Sequence, residues 1–275
     1  KGNTALNHKA QIIEGHHLGL RWDGNSKTLF TGDFNGDGRD DVLLQGHHNS
    51  EGHGIALADE SGQLQQLSQR FDSEHHGFDF AGENTQLVVG DFNADGQTDV
   101  LTQTKADIPL LPFKAGSVHL SDAGQLTSVS QIIPVDYLGL DWRAGYSKIV
   151  SGDFDGDCSD DLIHIEAANQ MASLLPSDHG EFHTIAEQIQ LTHLSDLDQI
   201  LLGDFDGDGK MDFIAHSWPK DADGLYDVYF FRRLSEGGYF PQQYLGTVDK
   251  YVSGTLADVD GDLHFDVVAF DLDKP

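Results

Sequence analysis

The sequence predicts an all-β chain folded as a β-propeller of five four-stranded blades, and three observations carry that prediction. One acidic loop is written five times over 275 residues. Short apolar runs flank every copy, and no window of helical length shows an apolar stripe at helical spacing. The copies fall at near-constant intervals, which is how a chain of stacked repeats reads.

The loops are GDFNGDGRDD from Gly32, GDFNADGQTD from Gly90, GDFDGDCSDD from Gly152, GDFDGDGKMD from Gly203 and ADVDGDLHFD from Ala257. Each places oxygen-bearing side chains at positions 1, 3, 5 and 9, with a tight turn between and a main-chain carbonyl at position 7. Hard cations take such oxygen sets, and calcium is the expected ion, up to five per chain. The first loop offers Asp33, Asn35, Asp37, the Arg39 carbonyl and Asp41; the second offers Asp91, Asn93, Asp95, the Gln97 carbonyl and Asp99. The third offers Asp153, Asp155, Asp157, the Ser159 carbonyl and Asp161; the fourth offers Asp204, Asp206, Asp208, the Lys210 carbonyl and Asp212. The fifth offers Asp258, Asp260, Asp262, the His264 carbonyl and Asp266. Ligands that end at position 9, without a Glu at position 12, exclude an EF-hand, and magnesium is disfavoured because it keeps several waters. A lone copy would pass for a polar turn. Five copies in phase would crowd like charges together unless cations neutralise them.

Around each loop the apolar runs predict a hairpin with the acidic loop at its turn. The runs before the loops are Lys27 to Phe30, Gln86 to Val89, Lys148 to Val150 and Gln199 to Leu202; those after are Val42 to Leu44, Val100 to Leu101, Leu162 to Ile165 and Phe213 to Ala215. A second hairpin per repeat follows from IALADESGQLQQL (Ile55 to Leu67) and SVHLSDAGQLTSVSQII (Ser117 to Ile133). The first loop aspartates stand at positions 33, 91, 153, 204 and 258, so successive intervals are 58, 62, 51 and 54, and the interval across the chain ends is 50. Each has room for four strands. The expected domain is therefore one ring spanning 1–275, with Thr4 to Ile13 completing the sheet begun by Phe265 to Phe270.

Composition agrees. There are 46 acidic and 16 basic residues, net −30, and 18 of the acids are loop aspartates, so five divalent ions would bring the formal charge to −20. A surface this acidic repels phosphate backbones and disfavours nucleic acid. No apolar run is long enough to insert in a membrane as a helix. The lone Cys158 excludes an intrachain disulfide and leaves the redox compartment open. Calcium loops of extracellular modules bind at roughly 10⁻⁴ to 10⁻³ M, which points to an extracellular, cell-surface or periplasmic location. The chain begins at Lys1, so a removed leader or a longer parent protein is expected.

Loops of this form, covering all five repeats, resemble the FG-GAP and VCBS repeats of integrin alpha-subunit propellers and of bacterial surface and secreted proteins. GDFNGDGRDDVLLQ and GDFNADGQTDVLTQ look more bacterial than animal. The resemblance implies a loop between the first two strands of each blade, ligated as assigned above. It implies a binding or scaffold module, such as one for adhesion or for glycan or protein recognition; the shells of Rhs-type and Tc-type toxins carry similar repeats and are an alternative. This sequence departs from the pattern at position 6, where the third and fifth loops carry Cys158 and Leu263 in place of glycine. A left-handed backbone there costs a residue with a Cβ about 1–2 kcal/mol. The fourth loop alone combines four aspartates with glycine and is expected to bind most tightly.

Eleven positions before the first aspartate of the first three loops stand Trp22, Phe80 and Trp142, in LGLRW, HGFDF and LGLDW, where the fourth and fifth repeats have His193 and Thr247. Packing between blades is the first expectation for these rings, a platform for sugars the second. The pairs His16-His17, His47-His48 and His75-His76 are read as solvated loop residues, since adjacent side chains on a strand diverge. No GxSxG, HExxH or phosphate-binding glycine loop occurs. The acids outside the loops, such as Glu14, Asp79, Glu166 and Asp227, form no recognisable catalytic string. The chain is expected not to be an enzyme, with a polysaccharide-active glycosidase or lyase as the alternative.

Overall fold

The computed structural model describes residues 11–23, 27–48, 52–72, 74–105, 114–191, 197–217, 225–234, 238–239, 243–249, 252–257 and 266–271. Over these the chain is a β-propeller with four four-stranded antiparallel blades and three two-stranded sheets, two of them the small pairs His16–His17 with Leu20–Arg21 and Glu74–His75 with Phe78–Asp79. The first blade runs Lys27–Gly32, Asp41–Gly46, His53–Ala58, Leu64–Phe71; the second runs Thr85–Gly90, Asp99–Thr104, Gly116–Asp122, Gln125–Ile133. The third is Ser147–Gly152, Asp161–Glu166, Met171–Leu175, Glu187–Gln190, and the fourth Leu197–Gly203, Asp212–Ser217, Leu225–Phe231, Gln243–Asp249. Val252–Ala257 pairs with Asp266–Asp271. Both hairpins expected of a repeat are present in each of the four blades, in the order of the sequence. The expectation of five four-stranded blades is met by four among the described residues, where the fifth repeat shows only the strand pair that flanks its loop.

The inner strands bury both faces, and that is legible in adjacent residues that serve different cores. Val100 packs with Phe34, Leu43, Ile55 and Leu87 between the first and second blades. Its neighbour Leu101 points the other way, to Phe92, Ile149, Leu162 and Phe182 between the second and third. Leu162 and Ile163 divide likewise, the latter joining Phe154, Leu174, Phe213 and Phe231 between the third and fourth. Period-two alternation thus puts an apolar residue on each side, and a strand buried twice reads as a short continuous apolar run. The position-2 phenylalanines Phe34, Phe92 and Phe154 are fully buried and pin each loop to an interblade core.

Two sets of polar contacts repeat from blade to blade. The carbonyls of Phe34 and Phe92 accept from Gly124 N and Gly180 N of the following blade, at 2.9 and 2.8 Å. Glutamine side chains also clamp the next outer hairpin at its main chain, donating from Nε2 and accepting at Oε1. Gln69 holds Leu126 this way and Gln131 holds Phe182. Gln11 holds Leu64 in the same manner, accepting from its N–H at 2.7 Å. Gln11, Gln69 and Gln131 are spaced as the first three loop aspartates are, at intervals of 58 and then 62. Gln11 therefore occupies, against the first blade, the place of an outer strand from a preceding repeat. Residues 11–13 are not themselves strand, and the rest of the expected closing segment, residues 4–10, lies outside the described residues.

Candidate metal centres

Each acidic loop joins the first two strands of its blade, and the ladder that closes it is the same every time. Gly32 pairs with Asp41, Gly90 with Asp99, Gly152 with Asp161, Gly203 with Asp212 and Ala257 with Asp266. The fifth loop otherwise lies outside the described residues: Asp258, Asp260, Asp262 and His264 have no described placement, and Asp266 opens a strand.

Within the four described loops the backbone folds around the position-1 carboxylate. Asp33 Oδ1 accepts from Gly36 N and Asp37 N, and its Oδ2 from Gly38 N at 2.6 Å. Asp153 accepts from Gly156, Asp157 and Cys158, and Asp204 from Gly207, Asp208 and Gly209, while Asp91 accepts from Asp95 and Gly96. Position 3 accepts from the position-5 N–H in every one of these loops, at Asn35, Asn93, Asp155 and Asp206. Position 5 accepts from position 7, so Asp37, Asp95, Asp157 and Asp208 take the N–H of Arg39, Gln97, Ser159 and Lys210. Local side-chain to backbone bonds of this kind hold a chain in a turn.

That wrapping requires two left-handed residues per loop, at positions 4 and 6. They are Gly36 and Gly38, Ala94 and Gly96, Gly156 and Cys158, and Gly207 and Gly209. Cys158, at φ 73°, is where the departure from glycine was expected to strain the third loop. Ala94, at φ 57°, is a second such departure, missed because position 4 was not recognised as left-handed.

The position-9 aspartates of the four described loops are fully buried. Each accepts from the position-2 N–H at one oxygen and from the third strand's end at the other: Asp41 from Phe34 and Ala58, Asp99 from Phe92 and Ser121, Asp161 from Phe154 and Ser177, Asp212 from Phe205 and Arg233. Burial, reinforced by neighbouring loop carboxylates and opposed by those donors, pushes them up to about 6 for Asp41, 8 for Asp99, 7 for Asp161 and 6 for Asp212.

Two loops converge enough to hold a cation. Carboxylate oxygens of Asp153, Asp155 and Asp161 lie within 4.8 Å of one another, as do those of Asp204, Asp206 and Asp208. All-oxygen, all-carboxylate donor sets of this kind fit calcium. In the first two loops the asparagine turns inward instead: Asn35 Nδ2 donates to Asp37 and Asn93 Nδ2 to Asp95, at 3.1 and 3.0 Å. Position-7 side chains reach sideways. Arg39 pairs with Asp37, Gln97 accepts from Ala123 N, Ser159 donates to the Phe92 carbonyl and Lys210 to the Asp155 carbonyl.

The aromatic positions are packing residues, not a platform. Phe80 and Trp142 are 0 % and 1 % exposed, while half-buried Trp22 lies on Ala56, Ala58 and Leu64. Trp22 and Trp142 each donate their indole N–H to the carbonyl five positions before, at His17 and Tyr137. Their equivalence was visible in LGLRW and LGLDW. His193 lies outside the described residues, and Thr247 is exposed on the fourth blade's outer strand. In each histidine pair one ring is exposed, at His16, His48 and His76, and its neighbour is half-buried. His75 is half-buried and bonds the Leu126 carbonyl, and its ring stacks on His76 at 4.0 Å.

A family model for an FG-GAP-like repeat matches residues 33–102, from the first loop into the second blade's second strand. Among solved structures, an Agrocybe aegerita lectin, described as recognising non-reducing terminal N-acetylglucosamine, aligns at a TM-score of 0.47 and 13% identity. The match covers 89% of this chain and 74% of that one. Likeness at this level does not extend to a ligand. No curated protein matches. No helix among the described residues is long and apolar enough to cross a membrane.

Proposed function

We propose that this chain is a non-catalytic, calcium-stabilised propeller serving as a binding or scaffold module outside the cytosol, at a cell surface, in a periplasm or in the extracellular medium. The observation that carries this reading is the convergence of three carboxylates in each of the third and fourth loops. At such range like charges repel, and a divalent ion converts the repulsion into ligation. When bound, calcium supplies charge neutralisation and cross-links the ends of two strands. Asp153, Asp155 and Asp161, and Asp204, Asp206 and Asp208, would hold it. Asp157 adds a fourth carboxylate to the third loop, and Asp33, Asp37, Asp41, Asp91, Asp95 and Asp99 serve the first two loops at lower charge.

The ring closes, in this reading, through the chain ends: Gln11 already sits in the outer-strand place ahead of the first blade. The ligand is a protein or a glycan met on an outer surface, since the rings that would have made a sugar platform are committed to packing. Calcium titration by calorimetry, with magnesium as the competitor, tests the metal. Uptake at millimolar calcium or below, unaffected by equimolar magnesium, is the expected result. No heat and no shift in melting would remove the metal from the proposal and leave a plain propeller.

A further inference from the structure

Successive loops touch at a residue that the ligand pattern leaves out. At three joints among the described residues the position-8 N–H of one loop donates to the position-1 carbonyl of the loop before: Thr98 to Asp33 at 2.7 Å, Asp160 to Asp91 at 2.7 Å and Met211 to Asp153 at 3.1 Å. The seat is tight. A Cβ on Gly32 would stand 2.4 Å from Thr98, and one on Gly90 would stand 2.7 Å from Asp160 Oδ2. This is why glycine precedes the first aspartate at these joints.

Among the three joints only the middle one adds a charge. Asp160 Oδ2 also accepts from Asp91 N at 2.8 Å, so Asp91 is held through both its main-chain groups by one residue of the next blade. Thr98 and Met211, its counterparts, are neutral. Asp160 is itself position 8 of the third loop and precedes its buried ligand Asp161, so one carboxylate belongs to the third loop and is bonded to the second.

We propose that Asp160 is a positioning residue shared by two cation loops, fixing Asp91 from behind and lending its negative charge to the ions in the second and third loops together. The inference rests on the calcium reading above. A carboxylate bonded to Asp91 and next in the chain to Asp161 is unfavourable without cations in the two loops and favourable once a divalent ion sits in either. It therefore weights the balance toward the loaded state of a pair of sites, and the other two joints do not.

The test is calcium calorimetry at pH 8 on the full chain, with thermal melts of the calcium-free protein alongside. Asp160→Asn keeps an acceptor for Asp91 N and removes the charge; Asp160→Thr copies Thr98. Either should weaken two sites at once, each by roughly 5- to 10-fold, the size expected of one charge acting from just behind the ligands through a water-like dielectric. The calcium-free melting temperature should hold or rise. Adding Asp95→Ala or Asp157→Ala, which silences one loop of the pair, should leave a single site responding. Unchanged affinities, an effect confined to one site, or a lowered calcium-free melting temperature would overturn the inference while leaving the calcium reading intact. Failure of both variants to fold would make Asp160 a purely structural residue and also overturn it. No uptake by the wild-type chain would overturn both readings.

Discussion

In the first and second loops the position-3 side chain is an asparagine whose amide donates to the position-5 aspartate, whereas in the third and fourth an aspartate stands there and has no proton to give. The backbone cages are otherwise alike, with position 1 at the hub and positions 3 and 5 each accepting from the residue two further on. One atom decides what each loop needs. An amide NH₂ lets the first pair satisfy its own carboxylate, and an oxygen in the same place leaves the second pair short of a donor. The fourth loop draws one in from its blade, where Arg232 pairs with Asp206. Beside the third, Lys210 from the next loop reaches the carbonyl of Asp155 at 3.0 Å. Shared loop geometry therefore does not imply shared affinity.

Removing the ion breaks the comparison most severely. Ligands that bind only the folded state stabilise it by mass action, about 2.7 kcal/mol per site at a hundredfold excess over Kd. Two filled loops would then hold the melting temperature of a chain this size up by roughly 10 °C or more. Chelation should abolish that difference, and lower salt should deepen the loss, since screening relieves repulsion among exposed carboxylates. Melts with and without chelator at matched ionic strength measure it. Identical curves would mean that all four loops are ordinary turns.

Next in size are the single ligands. Asp208→Ala and Asp157→Ala should each remove about 2–3 kcal/mol of calcium-dependent stability, one site's share. Asp37→Ala, in a loop that satisfies itself, should remove less than half as much. Equal losses at Asp37 and Asp208 would show that the asparagine does not matter. The converse substitution, Asn35→Asp, gives the first loop the fourth loop's ligands on two left-handed glycines. It should raise calcium affinity there by about tenfold, one ligand charge, and lower the calcium-free melting temperature. A change of the same sign in both quantities would contradict the account of the asparagine.

What the sequence disclosed and what it withheld divide along physical lines. The hairpins on either side of each loop were legible because doubly buried strands make short apolar runs and the loops carry unmistakable turn residues. The oxygen-bearing side chains at fixed offsets were legible as a pattern, and the structure shows positions 1, 3 and 5 accepting backbone N–H groups within the loop; that they ligate a cation is the proposal. Ala94 escaped notice because alanine tolerates a left-handed φ without advertising it. The glutamine clamp escaped for a different reason: Gln11, Gln69 and Gln131 grip main-chain groups of unrelated residues, and single glutamines are ordinary on a surface. Their spacing was nevertheless the loop spacing, so a search for side chains in phase with the loops would have found them. Position 8 was illegible altogether, since Asp40, Thr98, Asp160, Met211 and Phe265 share no chemistry and the joints are made mainly through a main-chain N–H. The fifth blade could be compared with its expected interval only at the strand pair flanking its loop, since the segment expected to complete it, residues 4–10, lies outside the described residues.

The smallest effect separates the third loop from the fourth, which share four aspartates and differ at positions 6, 7 and 8, position 6 being the one held at a left-handed φ. Cys158 sits at φ 73° where Gly209 sits at 83°, and a Cβ in that region costs about 1–2 kcal/mol. Glycine gives back part of the gain through its greater freedom in the unfolded chain. Cys158→Gly should therefore stabilise the calcium-free protein by about 1 kcal/mol, or roughly 2–4 °C. It should also bring the third loop's calcium affinity toward the fourth's, because the N–H of residue 158 already donates to Asp153 Oδ2, at 3.0 Å against 2.9 Å for the equivalent bond from Gly209. Gly209→Ala should move the fourth loop the opposite way by a similar amount, and nothing within 4 Å of that position obstructs the added methyl, so backbone strain alone is read. If Cys158→Gly leaves melting unchanged while Gly209→Ala lowers it, the thiol is making a compensating contact, and the third loop owes its shape to that contact and not to the wrapping of the backbone around Asp153.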